Sequence, residues 1–553
     1  MDSWRVCGPR TRRRPSRGDS GRTRTPGGPR LIAVCVLACA LAGCGGSASS
    51  PTTAARLQPS SADVRSYPID PVAFGPLYGS GCPDNGACGC GNATSLAEEF
   101  SCQLANLAAY DIPITAYLFD GGAWSAGHST PDQECTGPEC CSWKLGTQPV
   151  SLMARNGVRA LLHEWGGCSS TEQYQRAYDS LGQNLLGFYL DDGSSDAELR
   201  QVTEFMQGVR PNDWACVAKA YQNQGPSTTD AGLSNWASAA YVGDLANDFS
   251  GLQEAVTRIL TKAGDLPTPF AELTGYAYRQ QTIPSEEVYH RRLQFGALQP
   301  VMAHTPYANC DPWRPEYSPG LLQSYRYYAW LHKELVPYFY SYSYGMFESS
   351  DQPLLRQGPM PYSFLVGDEL FVPVITEATN AIDVQLPAGQ WIDYWDDSLV
   401  LSGTVQGFPA PLGKEPFFMR QGSLIPLDVQ RDLTGHGTRE SSGALTVLVY
   451  PSGTSAFRYR DQASQSWITF SSSLQGTTLT LTADPGLPSR PVLYRIENWT
   501  APPSAVAVDG ATVTVNLEGA LPAAASEVAA NASPTSTWFY DAKAQRLIVK
   551  AVP

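Results

Sequence analysis

Two aspartates stand at the ends of similar apolar runs: Gly187-Phe188-Tyr189-Leu190 leads into Asp191, and Ala240-Tyr241-Val242-Gly243 leads into Asp244. In each run an aromatic residue precedes the acid by two or three positions. Paired carboxyl groups at strand ends can divide two tasks, an ionised one attacking carbon or activating water and a protonated one assisting a departing oxygen; cleavage of a glycosidic bond needs both. The protonated member needs a raised pKa, which burial or its neighbour's negative charge can supply. Spacing alone leaves other uses open. Asp191-Asp192-Gly193 is also a common turn, and Asp191 to Asp196 could form a cation-binding loop, although the EF-hand arrangement is missing.

The same pattern of acid or base directly after an apolar run recurs at Asp120, at His163 with Glu164, and at Lys219, Glu272 and His304. Acidic groups in such places are costly to bury unless paired, so the set favours a polar-ligand site over helix caps and turns alone. The runs that carry them are Val72 to Leu77, Pro113 to Phe119, Val158 to His163, Leu186 to Leu190, Trp214 to Ala220, Ala239 to Gly243, Thr268 to Leu273 and Leu298 to Ala303. They alternate with amphipathic stretches of helical period. Ser195 and Glu198 match a capping box ahead of Leu199, Val202, Phe205 and Met206. Leu252, Val256, Ile259 and Leu260 share a face, with Lys262 and Gly264 as a stop, and Tyr327, Trp330, Leu331 and Leu335 belong to the last helix. Eight such units predict an α/β fold, a (β/α)8 TIM barrel with its site at the C-terminal strand ends.

Beyond about residue 360 the chain turns β-rich with Gly and Pro punctuation, predicting two C-terminal β-sandwich domains. The expected division is an export signal over 1–43, a flexible tether over 44–64, the barrel with Cys-rich insertions over 65–360, and sandwiches over 361–438 and 439–553. The N-terminus has a basic stretch, an apolar run Leu31 to Ala42, and Leu41-Ala42-Gly43-Cys44, which resembles a bacterial lipoprotein box with Cys44 as the lipidated residue; an ordinary secretory signal is the other reading. The chain is then expected outside the cytoplasm, held to the cell envelope by lipid alone. Its formal charge is −14, and −21 without the first thirty residues, which hold nine Arg and two Asp. That acidity argues against nucleic acid as a partner. Ten cysteines follow Cys44, at 82, 88, 90, 102, 135, 140, 141, 168, 216 and 310. In an oxidising compartment their density reads as disulfides, and no pair has the Cys-x-x-Cys spacing of a zinc ribbon or finger.

Several segments, in order, resemble glycoside hydrolase family 31, the α-glucosidase and α-xylosidase family. Gly187 to Asp191 is similar to its nucleophile segment and Tyr241-x-Gly243-Asp244 to its acid/base segment. Glu287 to Pro300 resembles the stretch leading into the last strand, followed by His304 and Asp311-Pro-Trp313. Further landmarks are Leu335 to Tyr340, Phe364 to Pro373, Leu386 to Trp391, Pro416 to Pro426, Pro503 to Gly510 and Trp538 to Asp541, so the likeness covers about 65 to 550. It implies a retaining α-glycosidase with Asp191 as nucleophile, Asp244 as general acid/base, and sugar contacts from Asp120, Tyr189, Lys219, Tyr241, Glu272 and His304, with neither metal nor cofactor. The family's N-terminal β-sandwich is missing from the likeness. Tyr189 and Tyr241 stand where Trp is common, Glu272 where Asp is usual, and Lys219 in place of an Arg, compatible with an anionic or a neutral sugar. These departures keep a second reading open, a surface lipoprotein that binds carbohydrate on aromatic platforms such as Trp124, Trp165 and Trp313 without turning it over. Sugar identity, transglycosylation against hydrolysis, and oligomeric state stay open.

Overall fold

Eight short strands run parallel around a closed ring: β1 (Leu77–Gly79), β2 (Ala116–Phe119), β3 (Arg159–Glu164), β4 (Leu185–Leu190), β5 (Ala215–Lys219), β6 (Ala239–Tyr241), β7 (Pro269–Phe270) and β8 (Ala303–His304). Each pairs with its chain neighbour from β1 to β7, and β8 pairs back onto β1 through Leu77↔Ala303. The bridge Glu272↔Ala303 joins the end of β7 to β8 and completes the closure. This computed structural model describes residues 34–36, 76–79, 96–119, 147–164, 170–191, 194–211, 214–221, 228–264, 266, 268–274, 283–305, 310–349, 351–503, 506–508, 511–513 and 526–553.

One helix follows each strand: α1 (Leu96–Ala109), α2 (Thr147–Asn156), α3 (Thr171–Leu181), α4 (Asp196–Val209), α5 (Asp230–Trp236), α6 (Phe249–Lys262), α7 (Glu286–Ala297) and α8 (Pro319–Glu334). Their starts follow from local chemistry. Ser195 and Glu198 make both bonds of the capping box ahead of α4, whose Leu199, Val202, Phe205 and Met206 are buried. Asp248, Ser285 and Ser318 cap α6, α7 and α8 in the same side-chain-to-backbone manner. Strand β4 is buried at all six positions because one face looks into the barrel while Phe188 on the other packs on Tyr174 of α3 and Phe205 of α4. Gly187 is needed there. A Cβ at this position would stand 1.7 Å from the Ala215 carbonyl oxygen of the neighbouring β5.

Strands β2 and β8 begin later than the apolar runs suggest, at Ala116 and Ala303. Leu298 is the C-cap of α7, so the run from Leu298 to Met302 is spent on ending that helix, and β8 starts at Ala303. On β1 pairing begins at Leu77, whose N–H donates to the Met302 carbonyl; residues 72–75 lie outside the described residues.

The C-terminal part is built mainly from antiparallel pairs, with Leu445–Val449 lying parallel beside Val492–Ile496. The proximal sheet runs from Leu355–Gln357 to Phe418–Arg420. Leu424–Leu427 already pairs with Leu445–Val449 of the distal sheet, so the segment 435–442, read as a domain boundary, is a connection within that sheet. Barrel and proximal sheet are locked by buried polar contacts: Arg291 of α7 donates to the Thr379 and Ala410 carbonyls, and Gln294 to that of Pro416. Val34–Val36, inside the run expected to leave with an export signal, lies parallel between Thr478–Asp484 and Val506–Val508. No helix among the described residues is long and apolar enough to cross a membrane.

Candidate active site

Strand alternation decides which of the polar strand ends meet. The His163 ring of β3 stacks on Tyr189 of β4 at 5.2 Å, Tyr189 lies 6.0 Å from Tyr241 of β6, and Tyr241 lies 5.8 Å from Phe270 of β7. These rings line one side of the barrel wall, so Asp191 and Glu272, two residues beyond Tyr189 and Phe270, face the same way. Glu164, one residue from His163, points to the helix layer and accepts from the Tyr174 hydroxyl of α3.

At the centre stands Lys219, the last residue of β5. Its Nζ is 2.9 Å from Asp191 Oδ1 and 2.9 Å from Asp244 Oδ2, so those two oxygens are separated by at most twice that distance. One ammonium in contact with both acids makes them close neighbours, as paired carboxyl chemistry at a glycosidic bond requires. The remaining oxygens are engaged as well. His163 Nε2 stands 2.9 Å from Asp191 Oδ2, and the Tyr241 hydroxyl donates to Asp244 Oδ1 at 3.4 Å. Backbone geometry holds both acids in place: the Asp191 N–H donates to the Glu164 carbonyl, extending the β3–β4 pairing by one residue, and Gly243 adopts φ +91° to turn the chain into Asp244. The lysine side chain is 1% exposed, whereas Asp191 and Asp244 retain 18% and 17%. Solvent, and hence a ligand, reaches the acids rather than the cation between them.

Charge in this cluster is distributed unevenly. Burial alone would raise the Asp191 carboxyl, but the hydrogen bond and charge of His163, with Lys219, outweigh it and hold Asp191 well below the usual carboxylate range. Burial works against the Lys219 ammonium too, and the two aspartates outweigh it, keeping the lysine charged. The carboxyl kept neutral is that of Glu272: burial, reinforced by Asp244 and Asp191, pushes it up to about 8 against the opposing influence of the nearby Thr305 hydroxyl and the Lys219 charge. Glu272 is 8% exposed. Tyr241 is raised well above the usual phenol value by burial and by Glu272 and Asp244, so it stays a neutral donor.

The other expected sugar contacts fare differently. His304 is fully buried between two helices, Nε2 3.2 Å from the Tyr289 hydroxyl of α7 and Nδ1 3.0 Å from that of Tyr325 on α8. It faces the helix layer, and the next residue, Thr305, is the one that reaches Glu272 on the pocket side. Tyr189 and Tyr241 are wall residues at 5% and 3% exposure. Lys219, expected to contact sugar, is an ion-pair partner of both acids. Asp120, Cys44, Trp124 and Trp165 lie outside the described residues. Trp313 stacks on Tyr110 at 5.7 Å, a packing contact. Asp196, at the far end of the possible cation loop, turns away to accept from the Thr229 N–H and hydroxyl at the start of α5. Cys216 and Cys310 are buried free thiols, which corrects the disulfide expectation for those two. Sequence reasoning placed His163 among the polar strand ends but not in the site, and it passed over Thr305. Strand parity, His163 with Tyr189 and Thr305 with Ala303, was the signal available.

Fold and site together define a (β/α)8 barrel with a paired-carboxylate centre at the C-terminal strand ends. Residues 227–342 match the model for the glycosyl hydrolases family 31 TIM-barrel domain and residues 350–425 that for the family's C-terminal domain; the chain belongs to glycoside hydrolase family 31. Among curated relatives, an isomaltosyltransferase of Sporosarcina globispora is 24% identical over 66% of this chain and 36% of its own length. A 1,3-alpha-isomaltosidase of Kribbella flavida is 28% identical over 32% of this chain and 28% of its own. A cycloalternan-forming enzyme from Listeria monocytogenes superposes with a TM-score of 0.66 at 18% identity, over 88% of this chain and 54% of that one. A family 31 dextranase of Flavobacterium johnsoniae gives 0.66 at 16%, over 88% and 70%. The chain spans about a third of the length of the curated relatives it matches here.

Proposed function

We propose that this chain is a retaining α-glycosidase that removes terminal α-linked sugars from oligosaccharides or glycosides outside the cytoplasm. The observation that carries the reading is the Asp191–Lys219–Asp244 centre, two partly exposed carboxylates brought together at the strand ends by one buried ammonium. Asp191, held ionised, attacks the anomeric carbon while Asp244 hands a proton to the leaving oxygen; Asp244 then takes a proton from water, which releases the sugar from Asp191. Another sugar hydroxyl in place of water gives transglycosylation on the same centre. Lipidation at Cys44 anchors the chain to the cell envelope, and labelling of the expressed protein with an alkyne fatty acid, lost on Cys44→Ser, tests that part.

A second reading, carbohydrate binding without turnover, draws on the same lysine, because Asp244 begins ion-paired rather than as a free acid. The deciding experiment is hydrolysis of a panel of aryl α-glycosides, with isomaltosyl oligosaccharides and dextran added because the relatives' names point to them, using Asp191→Ala as control. Turnover lost in the variant supports the glycosidase. Oligosaccharide binding with no turnover by any member of the panel supports the binder.

A further inference from the structure

Two carboxylates in this site share a single buried ammonium. Burying a lysine to 1% exposure costs several kcal/mol of hydration, repaid only by close and well-directed counter-charges. Here there are two, on different strand ends, each at 2.9 Å. A compact ammonium on a flexible stem has three rotatable donors and can donate to both at once. Without the cation the two carboxylates would repel, and the pair would retain a proton.

Among the described residues, the groups facing Asp191 include His163 from β3, Lys219 from β5, Tyr241 and Asp244 from and beyond β6, and Glu272 beyond β7. Arg292 of α7 lies behind Glu272, its Nη1 donating to that residue's carbonyl and its Nη2 occupied by the Ala246 carbonyl. Lys219, by contrast, contacts both members of the pair directly.

We propose that Lys219 is a positioning residue that spans the pair, setting the separation of Asp191 and Asp244 and keeping Asp191 unprotonated for attack. The proposal rests on the retaining reading above, and its test is chosen to separate the two. In the full-length chain, kcat/KM for a turned-over aryl α-glycoside is followed against pH for wild type, Lys219→Met and Lys219→Arg. Lys219→Met is expected to lose about 100-fold or more and to move the acid limb upward by about one pH unit, since a neighbouring cation shifts a carboxyl by ~1–3 units. Lys219→Arg returns the limb towards its wild-type position even if the rate is only partly restored.

Independently of turnover, thermal unfolding is compared at pH 5 and pH 8 for wild type, Lys219→Met, Asp191→Asn and the double variant. Lys219→Met is expected to lose more at pH 8, where both carboxylates are ionised, and Asp191→Asn in the same chain recovers part of the loss. A slower Lys219→Met enzyme with an unmoved acid limb, or additive losses in the double variant, overturns the spanning role. If the wild type turns over no glycoside, the retaining reading fails, and the unfolding cycle still decides whether Lys219 holds the pair together.

Discussion

His163 Nε2 stands 2.9 Å from Asp191 Oδ2, on the side of the carboxylate away from Lys219, and the imidazole is held in place by stacking on Tyr189. Both oxygens of the proposed nucleophile are therefore oriented before any sugar arrives. A hydrogen bond to a charged group contributes about 1.5–3 kcal/mol. His163→Phe should accordingly lower kcat/KM by roughly 10- to 100-fold and raise the acid limb of its pH profile, because Asp191 loses one of the two groups that keep it ionised. His163→Asn retains a donor, and its limb should move less. An unmoved limb in the Phe variant would mean that the imidazole only packs.

Asp244 is expected to matter in proportion to how badly the leaving group needs a proton. Asp244→Ala should slow glycosides with poor leaving groups by about 10²–10⁴-fold, the usual contribution of general acid catalysis. Dinitrophenyl glycosides, whose phenolate leaves unaided, should suffer far less in their first step, which a pre-steady-state burst reads directly. Equal losses across leaving groups would remove Asp244 from the acid role.

Glu272 carries a pH signature in stability. Its carboxyl is pushed up to about 8 in the fold, against about 4.3 in an unfolded chain. The folded state therefore binds the extra proton between those values, and the contribution of this group to stability falls as pH rises through the window. Glu272→Gln, which has no proton to lose, should flatten the Tm–pH curve and stand above wild type at pH 8, by an amount on the order of a few kcal/mol. Parallel curves for the two proteins would show that Glu272 ionises normally.

His304 should behave as a structural residue. Burial pushes it down to about 3, so it is neutral, and both ring nitrogens meet tyrosine hydroxyls of α7 and α8. His304→Ala leaves a cavity and takes the imidazole partner from the Tyr325 hydroxyl, while that of Tyr289 keeps the Cys310 carbonyl, for a cost of roughly 2–4 kcal/mol. Tm should drop while KM for any substrate changes by less than about twofold. A large rise in KM with an unchanged Tm would return His304 to the pocket.

Much of the barrel is written locally in this chain. The Ser195–Glu198 box, the buried face of α4 and the unbroken apolar run of β4 each depend on residues within one turn or one strand, and all three occur where the spacing predicts. The late start of β8 depends on where the preceding helix ends, which leaves no mark in a window of six residues. The segment 435–442 reads as a boundary because it is rich in Gly, Ser and Thr. Its place inside the distal sheet is decided by Leu424–Leu427 pairing with Leu445–Val449 across it.

The sequence by itself determined that acids and bases would gather at the C-terminal ends of eight parallel strands, because apolar runs ending in Asp191, Lys219, Asp244 and Glu272 have one favourable way to bury themselves and leave their polar ends wet. Which of those ends would touch was decided by tertiary structure alone. Register sets parity, so a shift of one residue separates Thr305, facing Glu272, from His304, locked among helices. Only the parallel pairing of β5 with β4 on one side and β6 on the other brings the two acids near enough for a single ammonium to reach both.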